Sequence, residues 1–186
     1  MFCVCDEPHG IQDMAVKKKN DKVIFIANTA VMAAVAIALS IAESLIPPMP
    51  MVPPGGKLGL SNIAVMLGAD MLGFPSAMLI AVIKSVFAGV TRGFTAFIMS
   101  LSGGVVSALV MIILLRRATK KIGYIGIGVC GAVTHNLTQL AVSSMITTDA
   151  VFVYLPALTA MAIVTGAVTG TIMGVIIPHY RKLFKK

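Results

Sequence analysis

Thr29-Ala30-Val31-Met32-Ala33-Ala34-Val35-Ala36-Ile37-Ala38-Leu39-Ser40-Ile41-Ala42-Glu43 is the stretch whose reading decides the fold. No charge interrupts it before Glu43, and it extends into an apolar run over 23–46, long enough to cross a hydrocarbon core that needs about 20 residues. Ala30, Ala34, Ala38 and Ala42 recur at every fourth position and line one helix face with small side chains. In lipid such faces let backbones approach, because helices there associate by close packing rather than by hydrophobic force. The stripe therefore serves either packing within a bundle or docking of another membrane subunit.

The rest of the chain continues the pattern. Further apolar runs fall at 58–73, 75–91, 95–115, 122–146 and 150–177, separated by proline, glycine or charge. The boundary between the second and third rests on Gly73-Phe74-Pro75, since proline disfavours helix in the residue before it. Only 12% of the 186 residues are charged and 58% are hydrophobic, against about 25% charged in soluble domains. The expected fold is an all-α integral membrane protein, a six-transmembrane-helix bundle with no separate soluble domain. Its expected organisation is a flexible cytoplasmic leader over 1–21, a membrane domain over 22–178 and a basic cytoplasmic tail over 179–186.

Charge gives the orientation. The net charge of +8 sits in clusters beside apolar segments, the placement of membrane anchors rather than of a nucleic-acid interface. Lys17, Lys18, Lys19 and Lys22 precede the first span, Arg116, Arg117, Lys120 and Lys121 follow the fourth, and Arg181, Lys182, Lys185 and Lys186 follow the last. Six spans put all three clusters on one side, with Lys57 and Arg92 opposite, and the positive-inside rule makes the clustered side cytoplasmic. Five spans would send the last cluster outside. The expectation is a multi-pass protein of the cytoplasmic (inner) cell membrane with both termini inside.

Polar groups within spans are costly and mark function by default. Here they share the outer half. Glu43 ends the first span, Ser61 and Asn62 open the second, and Lys84 lies about 10 Å below the outer end of the third at 1.5 Å per residue. In the fifth, His135 and Gln139 share a face at four-residue spacing, with Asn136 beside them. The bland alternative is an internal Glu43–Lys84 ion pair, which leaves the other polar residues without a purpose. The connection 46–57 carries five prolines and suits a semi-rigid lid over such a pocket. Lys57, Lys84 and Arg92 outnumber the outer acids, so the expected ligand is anionic or carbonyl-rich. The substrate-binding residues expected are Glu43, Lys57, Ser61, Asn62, Lys84, Arg92, His135, Asn136 and Gln139.

Other chemistries lack their residues. No Gly-x-x-x-x-Gly-Lys-[Ser/Thr] occurs, so any use of ATP belongs to a partner. Glu43 is the single carboxylate placed for a proton relay. Asp70 and Asp149 stand singly at opposite ends of spans, which disfavours magnesium-dependent chemistry on a prenyl diphosphate. Cys3, Cys5 and Cys130 have no metal or redox spacing, and no metal or cofactor is expected. The chain reads as a binding protein, not an enzyme.

Lys57-Leu58-Gly59-Leu60-Ser61-Asn62-Ile63-Ala64-Val65-Met66-Leu67, then Leu72-Gly73-Phe74, the Lys84 span, and Leu101-Ser102-Gly103-Gly104-Val105-Val106-Ser107 ahead of Arg116-Arg117 resemble the Gx transporter family over about residues 25 to 178. Its members are often named heptaprenyl diphosphate synthase component I. The group is similar to the substrate-binding S components of energy-coupling factor (ECF) vitamin importers, six-helix proteins with an alanine-rich first helix. That resemblance implies that Ala30, Ala34, Ala38 and Ala42 meet a coupling subunit driven by two ATPases, and that the outer pocket holds a vitamin- or cofactor-like molecule. S components are thought to topple in the membrane to release their cargo, which suits a small-residue face. No vitamin-specific signature is present, which leaves a flavin, a quinone precursor or another isoprenoid-linked compound open. The synthase name implies instead a non-catalytic accessory subunit of a polyprenyl diphosphate synthase. A purely structural assembly subunit is the third reading.

Overall fold

The computed structural model describes residues 9–45, 59–146 and 149–183. The leader cysteines, the proline-rich connection and Lys57 lie outside them. Six α-helices follow in chain order: α1 (His9–Ser44), α2 (Asn62–Met71), α3 (Phe74–Arg92), α4 (Phe94–Arg117), α5 (Thr119–Ile146) and α6 (Leu155–Leu183). A 3-10 helix, Asp149–Tyr154, leads into α6. No strand occurs among the described residues, as lipid demands of a chain that must satisfy its backbone within each segment.

Among the described residues five helices are long and apolar enough to cross a membrane, so the chain is a multi-pass membrane protein. The second expected span differs. α2 has 10 residues, about 15 Å at 1.5 Å per residue, roughly half the hydrocarbon thickness. Eight of its residues, Asn62 to Ala69, are buried, so it is the central element of the bundle. Gly73, at φ 87°, ends its hairpin with α3 in a conformation open to glycine alone at little cost, and Pro75 follows in the first turn of α3.

α1 also departs from expectation. The helix continues back through 9–21, where a flexible leader is expected, while its apolar span begins at Asn20. No proline or glycine interrupts Ile11–Asp21, and a helix already nucleated by its membrane part extends at little cost.

Packing pairs fix the directions. Gly68 meets Ile80 and Ser76 between α2 and α3, Gly89 meets Phe97 between α3 and α4, Gly131 meets Met111 between α4 and α5, and Gly128 meets Gly166 between α5 and α6. Second contacts join Asn62 to Lys84, Gly104 to Ala81, Gly103 to His135 and Gly170 to Ile125; in each pair of helices one number rises as the other falls, so from α2 to α6 consecutive helices run antiparallel. Gly93, at φ 94°, makes the tight α3–α4 corner. Arg116, Arg117, Lys120 and Lys121 then fall at one end of the bundle, called here the basic end, and Glu43, Gly59 and Arg92 at the other. The apolar core lies between, formed by Ala33, Ala36, Val65, Met66, Ile80, Met111, Ile127 and Met173 among others.

Candidate functional site

The site begins with a buried ammonium. Lys84 is 3% exposed on a helix otherwise faced with Ala77, Ile80, Ala81 and Ala88. A charge there survives only with oxygen ligands. α2 supplies them: Asn62 Oδ1 accepts from Lys84 Nζ at 2.5 Å and Ser61 Oγ accepts at 3.3 Å. Ser61 and Asn62 can do this because α2 starts at the level of Lys84. A helix beginning a turn earlier, as 58–73 suggested, would engage their backbone amides differently.

His135 stands behind the ammonium and feels its charge. Its ring lies against the Gly103 carbonyl, Ser107 Oγ is 3.5 Å from Nδ1, and Gln139 Nε2 is 3.1 Å from Nε2. These partners assign the Nδ1–H tautomer, with Nε2 accepting from the Gln139 amide. Ser107 Oγ also donates to the Gly104 carbonyl at 3.1 Å. The four-residue spacing expected to put His135 and Gln139 on one face does so. Gly103 makes room: a Cβ on it would stand 3.1 Å from both side chains.

Glu43 forms the upper rim. Its Oε1 accepts from the backbone amides of Gly59 and, at 3.3 Å, Leu60. The carboxylate therefore ties the end of α1 to the entrance of α2, where Gly59 takes φ 88°. Arg92, half-buried at the end of α3, is close enough to be attracted by the Glu43 charge. Glu43 Oε2, Asn62 Nδ2 and Asn136 Oδ1 are among the buried polar atoms with no hydrogen-bond partner among the described residues. An orphaned buried polar atom costs about 1–3 kcal/mol. At the site itself one donor, Asn62 Nδ2, is left open beside the ammonium and one acceptor, Glu43 Oε2, at the rim, which suits a small polar molecule.

Of the expected residues, Ser61, Asn62, Lys84, His135 and Gln139 gather in one place, with Glu43 and Arg92 at its rim. Asn136 does not join them. One residue on from His135 it is turned toward α6, where its Nδ2 donates to the Leu158 carbonyl at 3.2 Å. Lys57 lies outside the described residues. Gly59, Gly103 and Ser107 belong to the site although none was singled out for it; Gly103 and Ser107 share the four-residue spacing of His135 and Gln139, which was the available signal. Ala30, Ala34, Ala38 and Ala42 are all exposed on the outside of α1, while Ala33, Ala36 and Ser40 face inward. No group of three or more His, Cys, Asp or Glu side chains able to hold a metal occurs among the described residues.

The profile of the family described as heptaprenyl diphosphate synthase component I matches residues 32–176, from α1 to α6. The chain belongs to that family. No curated protein and no solved structure matches.

Proposed function

We propose that this member of the component I family is the non-catalytic membrane subunit of a heptaprenyl diphosphate synthase assembly, holding a catalytic partner at the cytoplasmic face of the cell membrane. A component of a synthase is one part of a larger body, and the observation that carries the reading is the exposed small-residue face of α1. Within the bundle α1 packs on α2 and α3, and Ala30, Ala34, Ala38 and Ala42 are left exposed. Such a face accepts a second helix at close range. The alternating helix directions support six passes, α2 making a short one, with both termini on the basic side. The positive-inside rule makes that side cytoplasmic, which is where a water-soluble prenyl substrate would reach a partner.

A second reading is favoured by the buried polar cluster. Lys84, Asn62, His135 and Glu43 lie toward the end opposite the basic clusters, with polar atoms left open. That is the arrangement of a subunit that captures a small anionic or carbonyl-rich molecule for an ATP-driven importer, with the alanine face meeting the coupling subunit. The two readings share the docking face and part over the partner. The protein purified in mild detergent from its own host separates them. A co-purifying prenyl synthase subunit, lost in an Ala34→Leu/Ala38→Leu variant, bears out the first. Co-purifying ATPases with a retained small molecule that Lys84→Met abolishes would replace it with the second.

A further inference from the structure

At the basic end, α5 and α6 enclose a groove that the polar cluster does not use. Its volume is about 380 Å³, within the range of roughly 300–1,000 Å³ typical of small-molecule sites, and Ile122, Gly123, Tyr124, Ile125, Gly170, Thr171 and Gly174 line it. Glycine creates it. Gly123, at φ 63° and ψ 178°, breaks the first turn of α5 away from the helix axis, and a Cβ on Gly174 would meet nothing within 4 Å. Gly170 does the opposite, sitting so close to Ile125 and Tyr124 that it pins the floor. The lining is mostly apolar, and the groove opens toward the outside of the bundle, with Ile122, Ile125 and Gly174 exposed.

Charge marks one end of it. Lys120 and Lys121 directly precede Ile122 and are exposed, Arg116 and Arg117 end the preceding helix, and Lys182 is exposed beyond Gly174 on α6. An apolar slot at membrane depth that begins at a cluster of cations fits an amphiphile with one hydrocarbon chain and a multiply charged anionic head. We propose that the groove holds the isoprene units nearest the head of a polyprenyl diphosphate, with the diphosphate at Lys120 and Lys121. The inference rests on the synthase-component reading, which brings such a molecule to this face. It also deepens it: the subunit would receive the growing or finished chain as it becomes too apolar for water. A polyprenyl diphosphate fits better than a phospholipid, because the slot is single and a glycerophospholipid brings two chains and a single phosphodiester charge.

The test uses the full chain in phosphatidylcholine nanodiscs and a heptaprenyl diphosphate bearing a diazirine on its second isoprene unit from the diphosphate. Photolabelling is expected within Ile122–Ile125 or Gly170–Gly174, read by peptide mass spectrometry. Unlabelled heptaprenyl diphosphate should compete, whereas heptaprenol and phosphatidylglycerol at equal concentration should not. Gly174→Phe fills open space, so it should fold with an unchanged melting temperature and lose the label. Lys120→Ala/Lys121→Ala should weaken labelling by about thirtyfold, from about 1 kcal/mol for each of the two cations near a membrane surface. Lys84→Met should label like wild type. Equal competition by phosphatidylglycerol, or labelling indifferent to Gly174→Phe, would overturn the proposal by making the groove an ordinary lipid contact. Synthase co-purification with Gly174→Phe separates the two ideas: retained partner with unlabelled groove in the wild type sinks the groove alone, and a wild type that captures no synthase sinks the reading beneath it.

Discussion

Lys84 and Asn62 show what a single pair does in a medium without water. The ammonium is supportable at 3% exposure because Asn62 Oδ1 sits 2.5 Å away, so the two side chains stand or fall together. Asn62→Leu removes that oxygen while leaving the charge, and should lower the unfolding free energy in detergent by about 1–3 kcal/mol. Adding Lys84→Met removes the stranded charge, and the double variant should recover most of the loss, since paired removal of polar partners by apolar groups of similar shape is close to neutral. Thermal melts of the two single variants and the double variant measure this; additive losses would mean that the pair is uncoupled. The sequence showed Lys84, Asn62, His135 and Gln139 as polar residues at one depth, because charge inside an apolar run is conspicuous. It hid the fate of Asn136, since a rotation of about 100° between neighbours on a helix decides which wall each meets. Gly59 and Gly103 were equally hidden: they leave space for Asn62 and for His135 and Gln139, and absent atoms leave no pattern.

At the scale of elements, the glycines of α6 look alike in sequence at Gly166, Gly170 and Gly174 but do different things. Gly166 and Gly170 press against the α5 backbone, where a Cβ on Gly170 would strike Ile125 and the Tyr124 carbonyl. Backbone cannot move aside as a side chain can. Gly170→Ala should therefore part α5 from α6 and cost about 1–3 kcal/mol, the usual penalty of overpacking. Gly174→Ala meets open space and should stabilise by up to about 1 kcal/mol through helix propensity. Melting temperatures moving in opposite directions bear this out, and two losses of equal size would contradict it. The apolar runs gave the helices and their order, because about 20 apolar residues between charges admit few other structures. They did not give the length of α2, whose apolar residues on both sides of Ser61–Met71 blend into a run too long for the helix actually formed.

For the whole molecule, the decisive quantity is parity. Three basic clusters lie on one side if the helices make six passes, and the first lies opposite the other two if α2 does not cross. α2 is the element in question, since its 10 residues do not reach across a bilayer alone. Its direction supports six: Gly59 at its entrance is tied to Glu43 at one end, and Gly68 near its exit packs on Ser76, which accepts or donates to Thr29 at 3.1 Å deep along α1. The chain thus covers most of the thickness from Glu43 toward Thr29 before α3 returns, and the buried flanks of α2 need no lipid to match its length. Single cysteines in a cysteine-free background turn this into a measurement. A membrane-impermeant maleimide on intact cells should label Thr91→Cys, exposed at the α3–α4 corner, and should leave Lys121→Cys and Lys182→Cys unlabelled until the membrane is opened. Labelling of Thr91→Cys and Lys22→Cys together from outside would mean an even number of passes between them, and α2 would then be a re-entrant helix. Labelling of Lys121→Cys alone with the termini would invert the protein. In that arrangement the groove between α5 and α6 would open away from the cytoplasm and could not receive a product made there.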